Sequence, residues 1–243
     1  MPGVASYWEE SRSHRYSLVF ALPLLLAYEL LEALAPVRVK GGVVRNGADV
    51  ILTGGFTALF GPRGPLVLMG LVIGGALVLI WRDRRPGPLK PHYFGLMLAE
   101  SAVLALLFGV VVGVATVQLL GPLRSLAAGA AGVGGSALER LTLSLGAGLY
   151  EELLFRVVLV ALISNGLRLV GFSRITSGVT AVIAGALLFS AFHYVGPLGD
   201  ELRLDSFVFR ALAGVAFSAL YLTRGFGITA WTHALYDVAV LLG

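Results

Sequence analysis

Long apolar runs separated by short polar segments are the main feature of the sequence. A helix needs about 20 predominantly apolar residues to cross the hydrocarbon core of a bilayer, so each run of about that length predicts a membrane span. Seven runs meet this criterion, although the last is short: residues 17–35, 65–81, 94–120, 141–163, 177–195, 207–223 and 228–242. The pattern predicts an all-α fold, a polytopic transmembrane helical bundle in which residues 1–243 form a single integral membrane domain.

Residues 48–60 decide whether the bundle has seven or eight helices. This stretch is apolar, but it is shorter than a span and contains paired glycines. We interpret it as an interfacial or re-entrant segment. Residues 127–135, which read AAGAAGVGG, are almost entirely alanine and glycine. Such a sequence predicts a flexible connection or a close-packed turn.

The composition narrows the class of protein further. Hydrophobic residues make up 57% of the chain and charged residues 13%, about half of the roughly 25% charged residues of a soluble domain. This excludes a soluble globular domain, a disordered chain and a coiled coil. The absence of cysteine excludes a thiol nucleophile, a disulfide and a cysteine-ligated metal.

The net charge of +4 comes from short basic loops, which orient spans in the lipid bilayer, and no nucleic-acid partner is expected.

Three polar clusters lie inside apolar, predicted helical runs of the C-terminal hundred residues. A charge at membrane depth is costly, so each cluster needs a reason. They are EELLFR from Glu151 to Arg156, FSAFH from Phe189 to His193, and HALYD from His233 to Asp237. On an α-helix, Glu152 and Arg156 share one face at i,i+4 and are expected to form an ion pair. His233 and Asp237 have the same spacing.

These residue types together favour a hydrolytic site. A carboxylate or imidazole takes a proton from water, and a second imidazole stabilises an oxyanion. The same set suits zinc as an alternative, with Glu151, His193 and His233 as ligands and water in the fourth position. Each cluster alone is more often an ion pair or hydrogen bond between helices. Three such clusters on separate helices favour chemistry.

In this order on successive helices, the motifs EExxxR, FxxxH and HxxxN/D resemble those of the CAAX-protease and bacteriocin-processing family, also called Abi or CPBP. The resemblance covers residues 141–243, and the N-terminal half shows nothing specific. It implies an all-helical intramembrane endopeptidase with its catalytic core at about residues 139–243 and accessory helices within residues 17–120. The implied substrate is a membrane-associated peptide or protein, prenylated or not.

The resemblance also implies roles for individual residues. Glu151 would be the general base on water, assisted by His193. Glu152 and Arg156 would support the site through their ion pair, and Phe189, one turn before His193, would pack against its ring.

His233 and Asp237 would occupy the oxyanion-stabilising positions. An ionised carboxylate cannot donate a hydrogen bond to an oxyanion. Asp237 is therefore expected to orient or charge His233, or to stay protonated by burial.

The family has been described both as metal-dependent and as glutamate-dependent without metal. Glu151 and Glu152 point about 100° apart on an α-helix, so they make a poor joint ligand set, and we favour the metal-free interpretation with zinc as the alternative. If the chain is bacterial, the cytoplasmic (inner) membrane is expected.

Two other classes of function stay open at this point. One is a non-catalytic immunity or scaffold protein of the membrane. The other is a proton-coupled transporter in which the same charged residues form a relay, although no internal repeat supports it.

Overall fold

The chain is described by a computed structural model over residues 4–39, 42–83, 87–121, 136–196 and 199–242. The all-α prediction is confirmed. The described residues also contain one short antiparallel hairpin, formed by β1 Arg38–Val39 and β2 Gly42–Val43. The helices are α1 Val4–Ser11, α2 His14–Leu34, α3 Gly47–Phe60, α4 Gly64–Arg82, α5 Pro91–Leu120, α6 Ala137–Gly146, α7 Val160–Leu169, α8 Arg174–Phe192, α9 Leu204–Arg224 and α10 Phe226–Leu242.

The predicted spans coincide with helices. Six of the seven begin and end within three residues of α2, α4, α5, α8, α9 or α10. Five helical stretches are long and apolar enough to cross a membrane: His14–Leu34, Gly47–Arg82, Pro91–Leu120, Arg174–Phe192 and Leu204–Arg224. The alanine- and glycine-rich residues 127–135 lie outside the described residues.

The short stretch that includes residues 48–60 forms α3, which packs against α4. A 3₁₀ turn, Gly61–Arg63, joins the two helices, and Gly61 has a φ of 62°, a conformation that glycine adopts without steric cost. The 14 residues of α3 extend about 21 Å at about 1.5 Å per residue, less than the roughly 30 Å of a bilayer core. An interfacial or re-entrant position for α3 remains our prediction.

The predicted span at residues 141–163 lies within one longer helical segment. This segment begins at a capping box, in which the Ser136 side chain accepts from Glu139 N and the Ser136 N–H donates to Glu139 at 2.7 Å. That backbone donor lowers the pKa of the Glu139 carboxyl. Between α6 and α7 the helix widens into two π-helical stretches, Ala147–Glu151 and Leu153–Leu159. Such stretches replace i→i+4 bonds with i→i+5 bonds and often mark functional sites.

Helix α10 is packed against α2, α5, α6, α9 and the first π-helical stretch. The closest approach is at Gly148, where an added Cβ would lie 2.6 Å from Cβ of Ala234 and closer still to the Ala230 carbonyl oxygen. Ala230 and Ala234 are fully buried. Small residues on both sides therefore allow the π-helical stretch and α10 to bring their polar side chains together.

A buried ion pair holds α5 and α9 together at one end of the bundle. Arg224 Nε and Nη2 donate to the Glu100 carboxylate at 2.6 and 2.7 Å, and Nη2 also donates to Ser11 Oγ at 2.8 Å. Arg224 is 2% exposed. A guanidinium at this depth needs such partners, so Glu100 and Arg224 have a structural role in the bundle.

Candidate active site

The two π-helical stretches place three charged side chains in the interior of the bundle. Glu151, Glu152 and Arg156 are 5%, 0% and 2% exposed. A regular α-helix would turn Glu151 about 100° away from Glu152, but both carboxylates here lie within 4 Å of His233. The two carboxylates meet different nitrogens of this ring, Glu152 at Nδ1 and Glu151 at Nε2, so one imidazole lies between side chains that diverge on the helix.

The Glu151 carboxylate has one oxygen bound and one oxygen free among the described residues. Oε1 accepts a hydrogen bond from Asn46 Nδ2 at 2.9 Å. Oε2 is buried without a hydrogen-bond partner and lies 3.9 Å from Nε2 of His193 and 3.9 Å from Nε2 of His233. These separations exceed a direct hydrogen bond, so an acceptor oxygen faces two imidazole nitrogens.

His193 lies at the C-terminal end of α8, as its C-cap residue. The predicted span continued to residue 195, but the helix ends at Phe192 and His193 begins a turn. Its Nδ1 lies 2.8 Å from the Phe189 carbonyl oxygen, and a carbonyl only accepts, so Nδ1 carries a proton. The neutral ring therefore has its lone pair on Nε2, the nitrogen that faces Glu151. The Phe189 ring packs against His193 with centroids 5.0 Å apart.

His233 is held by a carboxylate from another helix. Its Nδ1 donates to Glu152 Oε1 at 2.8 Å, whereas its Nε2 lies 3.6 Å from Asp237 Oδ2. The sequence singled out Asp237 as the partner of His233. The structure does bring the two together at ion-pair distance, but the direct hydrogen bond is to Glu152. Spacing along α10 contains no information about a carboxylate that reaches across from a neighbouring helix.

The Glu152–Arg156 pair lies between aromatic rings. Arg156 Nε is 3.1 Å from Glu152 Oε2, and the guanidinium carbon is 4.4 Å from the Phe189 ring centroid and 5.4 Å from that of Phe217. The Phe217 ring in turn stacks on His233, with centroids 4.4 Å apart. Cation–π contacts of this kind stabilise a desolvated guanidinium. The pair therefore also supports the rings that position both histidines.

Two residues of the site escaped the sequence analysis. Asn46, from the N-terminal half, hydrogen-bonds Glu151, and Phe217 packs on His233. An Asn-Gly pair before an apolar run is a signal for a helix N-cap, which is what Asn46 is. That signal says nothing about a carboxylate 105 positions away. Phe217 has no signal beyond that of an apolar residue in a span.

Zinc ligation was the alternative use of Glu151, His193 and His233. The structure brings these three side chains together, at the 3.9 Å separations given above. Among the described residues, however, no group of three or more His, Asp or Glu side chains has an arrangement that could hold a metal ion. The metal-free interpretation stays a prediction, with zinc as its alternative.

The fold and the site define a class: a polytopic helical membrane protein in which two buried glutamates, a buried histidine and a half-buried histidine meet between the helices. Residues 133–239 match the model of the type II CAAX prenyl endopeptidase Rce1-like family. The matched region contains all three polar motifs, so this part of the chain is similar to CAAX proteases. The five long apolar helical stretches are those of an integral membrane protein, and the family that the region resembles consists of endopeptidases. No curated protein and no solved structure matches the chain.

The close approach at Gly148 leads to a first prediction. Gly148→Ala places a methyl group against Ala234 and the Ala230 carbonyl, so α10 must shift and His233 moves away from Glu152. Overpacking of this kind costs about 1–3 kcal/mol. We expect a lower Tm by thermal unfolding in detergent, together with reduced peptidase activity. Gly166→Ala, on the same helical segment but with no atom within 4 Å of the added Cβ, is the matched control. An unchanged Tm and activity for Gly148→Ala would contradict the packing described here.

Proposed function

We propose that this protein is an intramembrane endopeptidase in which Glu151 and His193 activate a water molecule. The observation that carries the proposal is the buried, unpartnered Oε2 of Glu151, which faces Nε2 of both histidines. A carboxylate oxygen beside an imidazole lone pair is the arrangement that general-base catalysis on water requires. A purely structural ion pair would not leave these three acceptor and donor atoms directed at one point.

The proposed first step is attack on the scissile carbonyl. A water molecule between Glu151 Oε2 and His193 Nε2 gives its proton to the carboxylate, while its oxygen forms a bond to the carbonyl carbon. The carbonyl π electrons move to oxygen and create a tetrahedral oxyanion. His193, whose Nδ1 proton is fixed on the Phe189 carbonyl, keeps the Nε2 lone pair directed at the water.

The second step is collapse of the intermediate. A proton on His233 Nε2 stabilises the oxyanion, and the Glu152 carboxylate at Nδ1 supports the positive charge that this ring carries. The C–N bond then breaks, and the proton held by Glu151 passes to the leaving amine. Water is thereby divided between the two products, and Glu151 returns to its starting state.

Asp237 has a role that differs from that of a hydrogen-bond donor. Its Oδ2 is 3.6 Å from His233 Nε2, close enough to favour a charged ring electrostatically and too far for a direct hydrogen bond. We assign it to charging and orienting His233. This assignment is in line with the chemistry of a carboxylate, which in its ionised form cannot donate to an oxyanion.

The substrate proposed is a membrane-associated peptide or protein, with a prenylated chain as one case. In a bacterial cell the membrane would be the cytoplasmic (inner) membrane. Because no step above uses a metal, the proposed mechanism is glutamate-dependent.

The test uses purified full-length protein in proteoliposomes with internally quenched peptides, each supplied with and without a C-terminal prenylated cysteine. We expect cleavage that persists in a strong zinc chelator and is lost in His193→Ala. Cleavage that disappears with chelator and returns with added zinc would overturn the metal-free mechanism. Cleavage that is equal in wild type and His193→Ala would overturn the assignment of the base and its partner.

A further inference from the structure

The geometry points to Asn46 as a positioning residue for Glu151, so that the N-terminal half of the chain completes the active site. This inference rests on the proposed function, since it concerns how the general base is held. The side-chain amide of Asn46 binds Oε1 and thereby directs Oε2 at the two histidines. The contact joins the start of α3 to the π-helical stretch that carries Glu151.

The Glu151 carboxylate needs such a partner because its terminal torsion is soft. The χ3 angle of glutamate has a broad, two-fold preference, so an unrestrained carboxylate would rotate freely. Among the described residues, the hydrogen bond from Asn46 Nδ2, at 2.9 Å, is the one hydrogen bond that the Glu151 carboxylate accepts. Asn46 is itself 7% exposed. A buried amide donor therefore fixes one oxygen and leaves the other for water.

The orientation of the Asn46 amide is set independently of Glu151. As the N-cap of α3, its Oδ1 accepts from the backbone N–H of Ala48 at 2.9 Å and of Asp49 at 3.5 Å. With the oxygen directed at these two donors, Nδ2 must point the other way, which is toward Glu151. The helix cap and the hydrogen bond to Glu151 therefore require the same orientation of the Asn46 side-chain amide.

A second layer of hydrogen bonds holds the start of α3 in place. Tyr28 Oη donates to Asp49 Oδ2 at 2.8 Å and accepts from the Asn46 backbone N–H at 3.4 Å. Arg45 Nε donates to the same Asp49 oxygen at 2.5 Å, and Thr53 Oγ1 donates to Oδ1 at 2.9 Å. Asp49 is 2% exposed. This satisfied network restricts the position from which Asn46 reaches the base.

Gly146 allows Asn46 and Tyr28 to approach the catalytic segment. A Cβ added at Gly146 would lie 2.6 Å from Tyr28 Cε2 and 2.9 Å from Asn46 Cβ, both closer than side chains tolerate. Gly146 is the last residue of α6, immediately before the π-helical stretch. A methyl group at this position would push Asn46 away without removing any hydrogen-bonding group.

The alternative is that Asn46 acts only as a helix cap. Serine caps helices about as well as asparagine, but its hydroxyl is shorter than the amide and is used by the cap. Asn46→Ser therefore keeps the cap and removes the donor to Glu151, whereas Asn46→Ala removes both. A positioning role predicts that both variants lose kcat, whereas a role in capping alone predicts that Asn46→Ser keeps the wild-type kcat.

The experiment measures kcat, KM and Tm for the full-length protein in proteoliposomes with the quenched peptide. For Asn46→Ser we expect kcat to fall about 10- to 100-fold, the scale of misplacing a catalytic group by about 1 Å, with KM unchanged and the stability contributed by the helix cap retained. Asn46→Ala should show the same loss of kcat and also a lower Tm. Wild-type kcat in Asn46→Ser, or a rise in KM alone, would overturn the inference.

Gly146→Ala keeps the inference testable if Asn46→Ser fails to fold. It should lower kcat through the displaced Asn46, whereas Gly166→Ala should behave as wild type. In the double variant with Asn46→Ser the losses should not add, because both changes act on one contact; additive losses would contradict this.

If the wild-type protein cleaves no peptide in a Glu151-dependent manner, the proposed function fails and the inference fails with it. Glu151-dependent cleavage with no effect of Asn46→Ser overturns the inference alone.

Discussion

Glu151→Gln is expected to lower kcat about 10²- to 10⁴-fold, the usual contribution of a general base, while the protein stays folded. Glutamine has nearly the same shape as glutamate, and its carbonyl oxygen can still accept from Asn46 Nδ2, which is 2.9 Å from Glu151 Oε1 in the wild type. Its amide nitrogen then faces His193 and His233 and cannot take a proton from water. Initial rates of peptide cleavage at equal protein in proteoliposomes measure the effect.

The control for this variant is Glu201→Gln, which makes the same chemical change at an exposed position and should leave both rate and Tm unchanged. Wild-type activity in Glu151→Gln would contradict the mechanism. It would instead favour a non-catalytic immunity or scaffold protein, which has no need of an ionised carboxylate at this position. A proton-coupled transporter would show ion-dependent uptake into vesicles, which an endopeptidase would not.

Arg156→Ala is expected to have the largest effect on stability. Removing one partner of a buried ion pair costs about 3–5 kcal/mol because the other charge is left without compensation. Here Glu152, which is 0% exposed, would lose the guanidinium 3.1 Å away. Phe189 and Phe217 would lose the group packed between them. We expect a clearly lower Tm by thermal unfolding in detergent, together with loss of activity, and the same two losses in Glu152→Ala.

Two comparisons separate the buried pair from a general effect of charge. Arg168→Ala removes an exposed arginine from the same helical segment and should melt as wild type. The double variant Glu152→Gln with Arg156→Met removes both charges and should recover much of the Tm lost in Arg156→Ala. If Arg156→Ala melts like the wild type, the ion pair does not contribute as described.

The sequence was sufficient for features that depend on local pattern. Run length predicted the helices of the bundle, because burial in a bilayer dictates long apolar segments whatever their neighbours. The i,i+4 spacing of Glu152 and Arg156 predicted two side chains that do lie 3.1 Å apart. Charged residues are energetically unfavourable inside apolar runs, and their presence identified the three helical segments whose side chains meet at one site.

Contacts between distant segments could not be predicted in the same way. The hydrogen bonds from Asn46 to Glu151 and from His233 to Glu152 span 105 and 81 positions. They depend on how α3, α10 and the π-helical stretches pack, which a single sequence does not encode in any periodicity. The π-helical stretches themselves had no distinct signal, since their residues are compatible with a regular α-helix. The same is true of the exact end of α8 at His193, where two or three residues separate a helix from a turn.

The central claim is Glu151-dependent proteolysis at the membrane. The most direct measurement compares membrane-protein N-termini and peptide fragments in matched cells that express either the wild-type chain or Glu151→Gln at equal abundance. We predict new N-termini and fragments that occur only with the wild type, and these would also name a substrate. Identical profiles, with the variant folded and present in the membrane, would contradict the proposed peptidase mechanism.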